Sequence, residues 1–101
     1  MANLKINPQV WDDLESIWRY IAADDAKAAS RVVDEILEKL ENLKEFPEMG
    51  TPLKNRVSQK TKYRYLTNYS YASLYYVDGD TVIVSTIIHL SRDLEALKLD
   101  Q

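Results

Sequence analysis

The stretch NPQVWDDLESIWRYIAADDAKAASRVVDEILEKLENLK, Asn7 to Lys44, carries two apolar stripes at helical spacing with almost nothing between them. Asn7-Pro8 reads as a helix start, with Asn at the N-cap and Pro at the first helical position, where no hydrogen-bond donor is lost. Val10, Leu14, Ile17, Trp18 and Ile21 follow at helical spacing, which makes one side of the helix apolar. Asp24-Asp25 ends this helix and can cap the next. From roughly Asp25 to Lys44, a second stripe is made by Ala29, Val32, Val33, Ile36, Leu37, Leu40 and Leu43, with charge on the opposite side. So short a connection forces an antiparallel helical hairpin. Trp11 and Trp18, two helical turns apart, are expected in the core and at its margin.

Outward from the hairpin the pattern changes. Upstream, ANLKIN (Ala2 to Asn7) alternates, with Leu4 and Ile6 on one side, and reads as a short strand. Downstream, Phe46-Pro47-Glu48-Met49-Gly50-Thr51-Pro52 stops the second helix and opens an irregular connection. Tyr63 to Thr67 and Ser70 to Val77 are rich in Tyr and β-branched residues, and TVIVSTIIH, Thr81 to His89, is the clearest strand in the chain. Asp78-Gly79-Asp80 joins the last two as a hairpin, because Gly supplies the positive φ that a tight turn needs. Ser91 to Leu97 reads as a short helix or tail. The resulting order is β-α-α-β-β-β. An α+β fold is expected, with an antiparallel sheet carrying the two-helix hairpin on one face, in a single domain over residues 1–101.

The chain has 101 residues, 46% hydrophobic and 29% charged, enough for one core and far from the composition of a disordered chain. No window approaches the ~18 apolar residues of a membrane helix, and no signal-peptide pattern opens the sequence, so a cytoplasmic protein is expected. With no cysteine, thiolate chemistry and disulfides are excluded. The formal net charge of −3 argues against general nucleic-acid binding. That charge is unevenly spread. KNRVSQKTKYR, from Lys54 to Arg64, holds five basic residues and no acidic one, which leaves −8 on the rest. A local patch of this kind can still meet phosphate or an acidic partner, because charges beyond a Debye length are largely screened.

Two strand ends carry the chemistry-bearing residues. Arg64 opens one strand in KYRYL, while His89, the sole histidine, and Arg92 close another in IIHLSRDLEAL. If these ends meet, two guanidiniums can stabilise a phosphorane. His89 or Lys62 can then move protons at a ribose 2′-hydroxyl, with no metal or cofactor required. The alternatives are structural. Arg64 can pair with a surface carboxylate, His89 can be held by backbone at a strand end, and Arg92-Asp93 can be a helix-start pair favoured by the helix dipole. Six tyrosines crowd between Tyr63 and Tyr76, suited either to cross-strand packing or to stacking on a partner. Lys54, Arg56, Lys60, Tyr69 and Tyr71 are the expected binding residues. A metal site is weakly supported by one His and no Cys, no Gly-rich phosphate loop is present, and no serine stands in a nucleophile motif. Asp12-Asp13-Glu15 and Asp34-Glu35-Glu38 read as solvated helix faces.

The order of these segments resembles the RelE/ParE superfamily of toxins from bacterial type II toxin–antitoxin modules. PQVWDDLESIWRYI, the long second helix with its FPEMG ending, KYRYL, NYSYASLYYV and IIHLSRDLEAL carry the likeness over nearly the whole chain. The resemblance implies a small toxin neutralised by a cognate antitoxin that wraps its sheet and helices. Ribonuclease members cut mRNA on the ribosome; by likeness of motif, Arg64 matches the position that holds the scissile phosphate in them, Arg92 the basic position after the last strand, and His89 the histidine common there. ParE-type members instead inhibit DNA gyrase by binding it. The long helical hairpin and the His89–Arg92–Asp93 ending place the likeness nearer the ParE branch. The acidic balance, and a C-terminal DLEALKLDQ without Tyr or His, depart from the ribonuclease pattern. A gyrase-directed binding protein is therefore expected, with a ribosome-dependent endoribonuclease, or a member retaining only antitoxin binding, as alternatives. Specific DNA binding by this chain alone is not expected.

Overall fold

The computed structural model describes residues 1–97. Its elements in chain order are β1 (Asn3–Ile6), α1 (Pro8–Ala22), α2 (Ala26–Glu41), β2 (Thr51–Pro52), β3 (Arg64–Asn68), β4 (Tyr71–Asp78), β5 (Thr81–His89) and α3 (Leu90–Asp93). The α+β architecture with a helical hairpin on the sheet is as the sequence leads one to expect. Asn7 stands at the α1 N-cap in extended conformation, yet its side chain makes no capping bond, and Pro8 alone marks the start. Asp25 does cap α2, accepting the Ala28 N–H at 3.1 Å. Gly79, at φ 62°, makes the β4–β5 turn.

The five strands lie in the order β1-β5-β4-β3-β2. Strands β2 to β5 are antiparallel neighbours, but β1 joins β5 in parallel, Leu4 opposite Val82 and Ile6 opposite Val84. This edge corrects the wholly antiparallel expectation. In sequence β1 and β5 are separated by α1, α2 and strands β2 to β4, and no local turn signals their pairing. β2 is the other addition, two residues of the FPEMGTP connection paired with Tyr65 and Arg64.

Each face of the sheet has its own core. On the helix side Val10, Leu14, Ile17, Ile36, Leu40 and Leu43 pack against Leu66, Tyr75, Val82, Val84 and Ile87. At about 1.5–3 kcal/mol for each fully buried aliphatic side chain, this cluster dominates stability. The opposite face holds a smaller cluster, Leu53, Tyr65, Ala72 and Leu74. It is covered by Val57 and Tyr63 of the basic connection and by Leu90, Leu94 and Leu97 of the C-terminal segment. Trp11 and Trp18 depart from expectation: they are 50% and 39% exposed on the outer surface of the hairpin.

Candidate functional site

The two guanidiniums and the imidazole do not share a corner. β3–β4 register sets Arg64 opposite Tyr75, which pairs with Val84 on β5, whereas His89 pairs with Tyr71 at the far end of β4. At ~3.3 Å per residue and ~4.8 Å per strand spacing, Arg64 and His89 lie roughly 15–20 Å apart along the backbone. The expected juxtaposition is overturned, because the β3–β4 turn falls at Tyr69-Ser70 and puts the first residue of β3 at the far end from the last residue of β5.

Each residue is occupied locally instead. The Arg64 guanidinium donates to the carbonyls of Gly50, at 2.8 Å, and Glu48, at 3.3 Å. Its partners are carbonyls rather than a surface carboxylate. The Gly50 N–H donates in turn to the hydroxyl of buried Tyr75 at 2.8 Å, and burial raises the Tyr75 pKa. No other residue fits at position 50: a Cβ there would stand 2.6 Å from Tyr75 Oη and 2.9 Å from the Tyr65 carbonyl. Arg64, Gly50 and Tyr75 thus latch the FPEMG connection to the sheet.

At the other end, His89 is the N-cap of α3. Its Nδ1 accepts the Arg92 N–H at 3.2 Å, so the neutral ring carries its proton on Nε2. Asp93 closes the cap by accepting the His89 N–H at 3.0 Å, and the Arg92 guanidinium grips the same carboxylate with two bonds, at 2.9 and 3.1 Å. The Arg92 bonds first, then the His89 N–H, hold the Asp93 pKa down at about 2. Asp93 in return raises that of Arg92. Tyr71 stacks edge-on against His89, with ring centroids 5.7 Å apart. Both structural alternatives for this ending, a backbone-held histidine and an Arg-Asp helix start, describe the geometry.

The basic connection makes a different surface. Arg56 Nε donates to the Tyr65 hydroxyl at 2.6 Å, with the guanidinium 5.5 Å from the ring centroid. Lys62 Nζ lies 4.1 Å from the centroid of the Tyr76 ring, which Tyr63 meets edge-on at 5.2 Å. Lys54 and Lys60 are exposed beside them. Arg56, Lys62 and three tyrosines therefore interleave over the sheet face opposite α1 and α2. Tyr69 sits apart at the β3–β4 turn, 63% exposed and at φ 56°. Such a backbone strains a bulky side chain, and strain of this kind concentrates at functional positions. Glu35 raises the Tyr69 pKa, against an opposing effect of Arg31 on the same helix.

Asp13 escaped the sequence reading, which placed it on a solvated face. Its Oδ2 accepts the Thr86 hydroxyl at 2.7 Å and the Ile87 N–H at 2.9 Å, beside the β-bulge at Ser85 where β5 outruns β1. The carboxylate takes the place of a missing strand partner at an open edge. The available signal was its position: residue 13 shares the helical stripe of Val10 and Ile17. Among the described residues no three His, Asp or Glu side chains gather as metal ligands, and no helix is long and apolar enough to cross a membrane.

Residues 4–94 match the model of the ParE toxin of the type II toxin–antitoxin system, parDE. No curated protein matches the sequence significantly. Among solved structures, the chain is similar to one in the chromosomal ParDE system from P. aeruginosa, with TM-score 0.72 and 22% identity over 89% of this chain and 97% of that one. It is also similar to a chain of the RelBE2 toxin–antitoxin complex from Mycobacterium tuberculosis, with TM-score 0.63 and 17% identity over 87% and 96% of the two chains. A third likeness is to a chain of the YoeB–YefM toxin–antitoxin complex from Staphylococcus aureus, with TM-score 0.51 and 19% identity over 85% and 93%. These likenesses show a common fold, and the family match covers nine-tenths of the sequence. The chain belongs to the ParE toxin family of type II toxin–antitoxin systems.

Proposed function

We propose that this protein is a cytoplasmic growth inhibitor that acts by binding DNA gyrase and is held inactive by a cognate antitoxin. One observation carries the choice against RNA cleavage: Arg64 and the His89–Arg92 pair are separated, and each is bonded within its own strand end. A phosphorane needs its cations within hydrogen-bond reach of the same oxygens, and spending them on carbonyls and on Asp93 removes that capacity. A binding protein has no such requirement. Purified, antitoxin-free protein is expected to inhibit supercoiling by DNA gyrase or to trap its cleaved DNA. Normal supercoiling at saturating protein refutes this reading. Such a result together with growth arrest and new cuts in ribosome-bound mRNA would favour the endoribonuclease. With no growth arrest at all, it would leave antitoxin binding as the sole function.

The antitoxin contact is proposed for the basic aromatic face. Lys54, Arg56, Lys60 and Lys62 attract an acidic amphipathic segment, the tyrosine rings offer it apolar area, and Tyr69 and Tyr71 extend the contact around the β3–β4 turn. Charges of this kind act first on the encounter rate. Neutralising Lys60 and Lys62 together is expected to slow antitoxin association several-fold and to flatten its salt dependence. An unchanged association rate places the contact elsewhere.

A further inference from the structure

The two tight turns of the antiparallel sheet share a form but not a residue. Asn68 pairs with Tyr71 and Asp78 with Thr81, so Tyr69-Ser70 joins β3 to β4 and Gly79-Asp80 joins β4 to β5. In each turn the first of the two residues takes a left-handed φ, 56° at Tyr69 and 62° at Gly79, and the second does not. This is the pattern of a hairpin turn that calls for glycine at its first central position. Gly79 meets that demand without steric conflict. Tyr69 does not, since a bulky side chain at positive φ is strained. The chain thus displays, at one turn, the residue that stability favours, and departs from it at the other.

The fold gains little from the departure. Tyr69 is 63% exposed and belongs to neither buried cluster. Glu35 and Arg31 of α2 act on its hydroxyl in opposite senses. Its side chain instead shares a hollow of about 350 Å³ with Arg56, Leu90, Ser91 and Leu94, and Glu95 also lines it. Charges around this tip alternate in sign, Arg31 with Glu35 and Arg56 with Glu95, unlike the wholly basic run from Lys54 to Arg64. A contact made here works by shape rather than by net charge. Tyrosine suits that use, because it offers a large contact area at low entropic cost and is enriched among the residues that dominate protein interfaces.

We infer that Tyr69 is the anchor by which the protein holds its target: the ring enters a pocket on DNA gyrase, and an apolar side chain of that partner fills the hollow beside Leu90 and Leu94. The inference rests on the gyrase reading above and adds the contact residue to it. An antitoxin drawn to the basic face and reaching the β3–β4 turn covers the anchor, so neutralisation follows by occlusion.

The test compares the parent chain with Tyr69→Gly and Tyr69→Phe in thermal melts, in supercoiling assays with DNA gyrase and in growth after induction. Tyr69→Gly is expected to melt about 4 °C or more above the parent, because the left-handed strain is relieved. The same variant is expected to need at least roughly tenfold more protein to inhibit gyrase, and to lose growth arrest. Tyr69→Phe keeps the ring and is expected to act like the parent in both activity assays. A parent that inhibits gyrase beside a Tyr69→Gly variant that inhibits it equally overturns the inference and leaves the gyrase reading standing. A Tyr69→Gly variant that melts at or below the parent overturns it too, as does a loss of inhibition in Tyr69→Phe equal to that in Tyr69→Gly. Failure of the parent itself to inhibit gyrase removes the gyrase reading, and this contact with it. Self-association of the parent that Tyr69→Gly abolishes, with gyrase inhibition retained, would make the occupant a second copy and overturn the inference.

Discussion

On its helix side the β-sheet meets aliphatic side chains from two long helices, and nearly every member of that cluster is buried. On its other side it meets four buried residues, then tyrosines, an arginine and a lysine laid over one another by cation–π and edge contacts. The first arrangement derives its free energy from area removed from water and tolerates little change in shape. The second leaves cationic ends in solvent and can repack around a partner. Stability thus rests mainly on one face, while the recognition proposed above falls to the other, and Arg64, His89 and Arg92 sit at the seams, where they secure connections.

The sharpest way to break this division is to remove equal bulk from both sides. Ile36→Ala on the helix side is expected to cost about 2–5 kcal/mol, whereas Leu94→Ala, half-buried on the outer side, should cost under ~1.5 kcal/mol. Thermal melts would separate the two clearly, at about 4–8 °C per kcal/mol for a domain of this size. Equal losses would show the two faces to be equally rigid. Gly50→Ala probes the latch between them. Its Cβ meets Tyr75 Oη at 2.6 Å, and overpacking of this kind costs about 1–3 kcal/mol. A variant as stable as the parent would mean that the connection slides freely over Tyr75.

Arg64→Ala tests the seam itself. Leaving the Gly50 carbonyl without its donor should lower stability by about 1–3 kcal/mol, and growth inhibition should persist at temperatures where the variant is folded. Loss of inhibition in a folded variant would give Arg64 a direct role. The smallest effect is expected at α3. Asp93 is held at about 2, below its ordinary 3.8. Its stabilisation of the cap is complete above the ordinary value and is lost as pH falls towards 2. Hydrogen exchange at the His89 amide should therefore lose protection over that window in the parent, and Asp93→Asn should remove the pH dependence. Protection constant across the window would detach Asp93 from the cap.

Much of this molecule was legible before its coordinates. Two helices and β5 announce themselves by period, because one face of each is buried and the other is wet. β2 could not be found that way: Thr51-Pro52 is too short to show a period and contains a proline. The parallel β1–β5 pair was hidden because its register depends on contacts across most of the chain. The sequence reading brought Arg64, His89 and Arg92 towards one corner, whereas the strand register separates Arg64 from the other two. Arg64 is bonded to backbone carbonyls, which no sequence displays, so a cation at a strand end looked free. Asp13 was hidden among neighbouring acids, although its place on the apolar stripe marked it. Trp11 and Trp18 misled in the opposite sense, since size alone suggested burial.

The most direct measurement is a supercoiling assay with DNA gyrase, run in parallel on the parent and on His89→Ala, with folding of both checked by circular dichroism. Inhibition by both proteins over the same concentration range is the predicted result. Absence of inhibition by the parent, with mRNA cleavage on the ribosome that His89→Ala abolishes, would contradict the account.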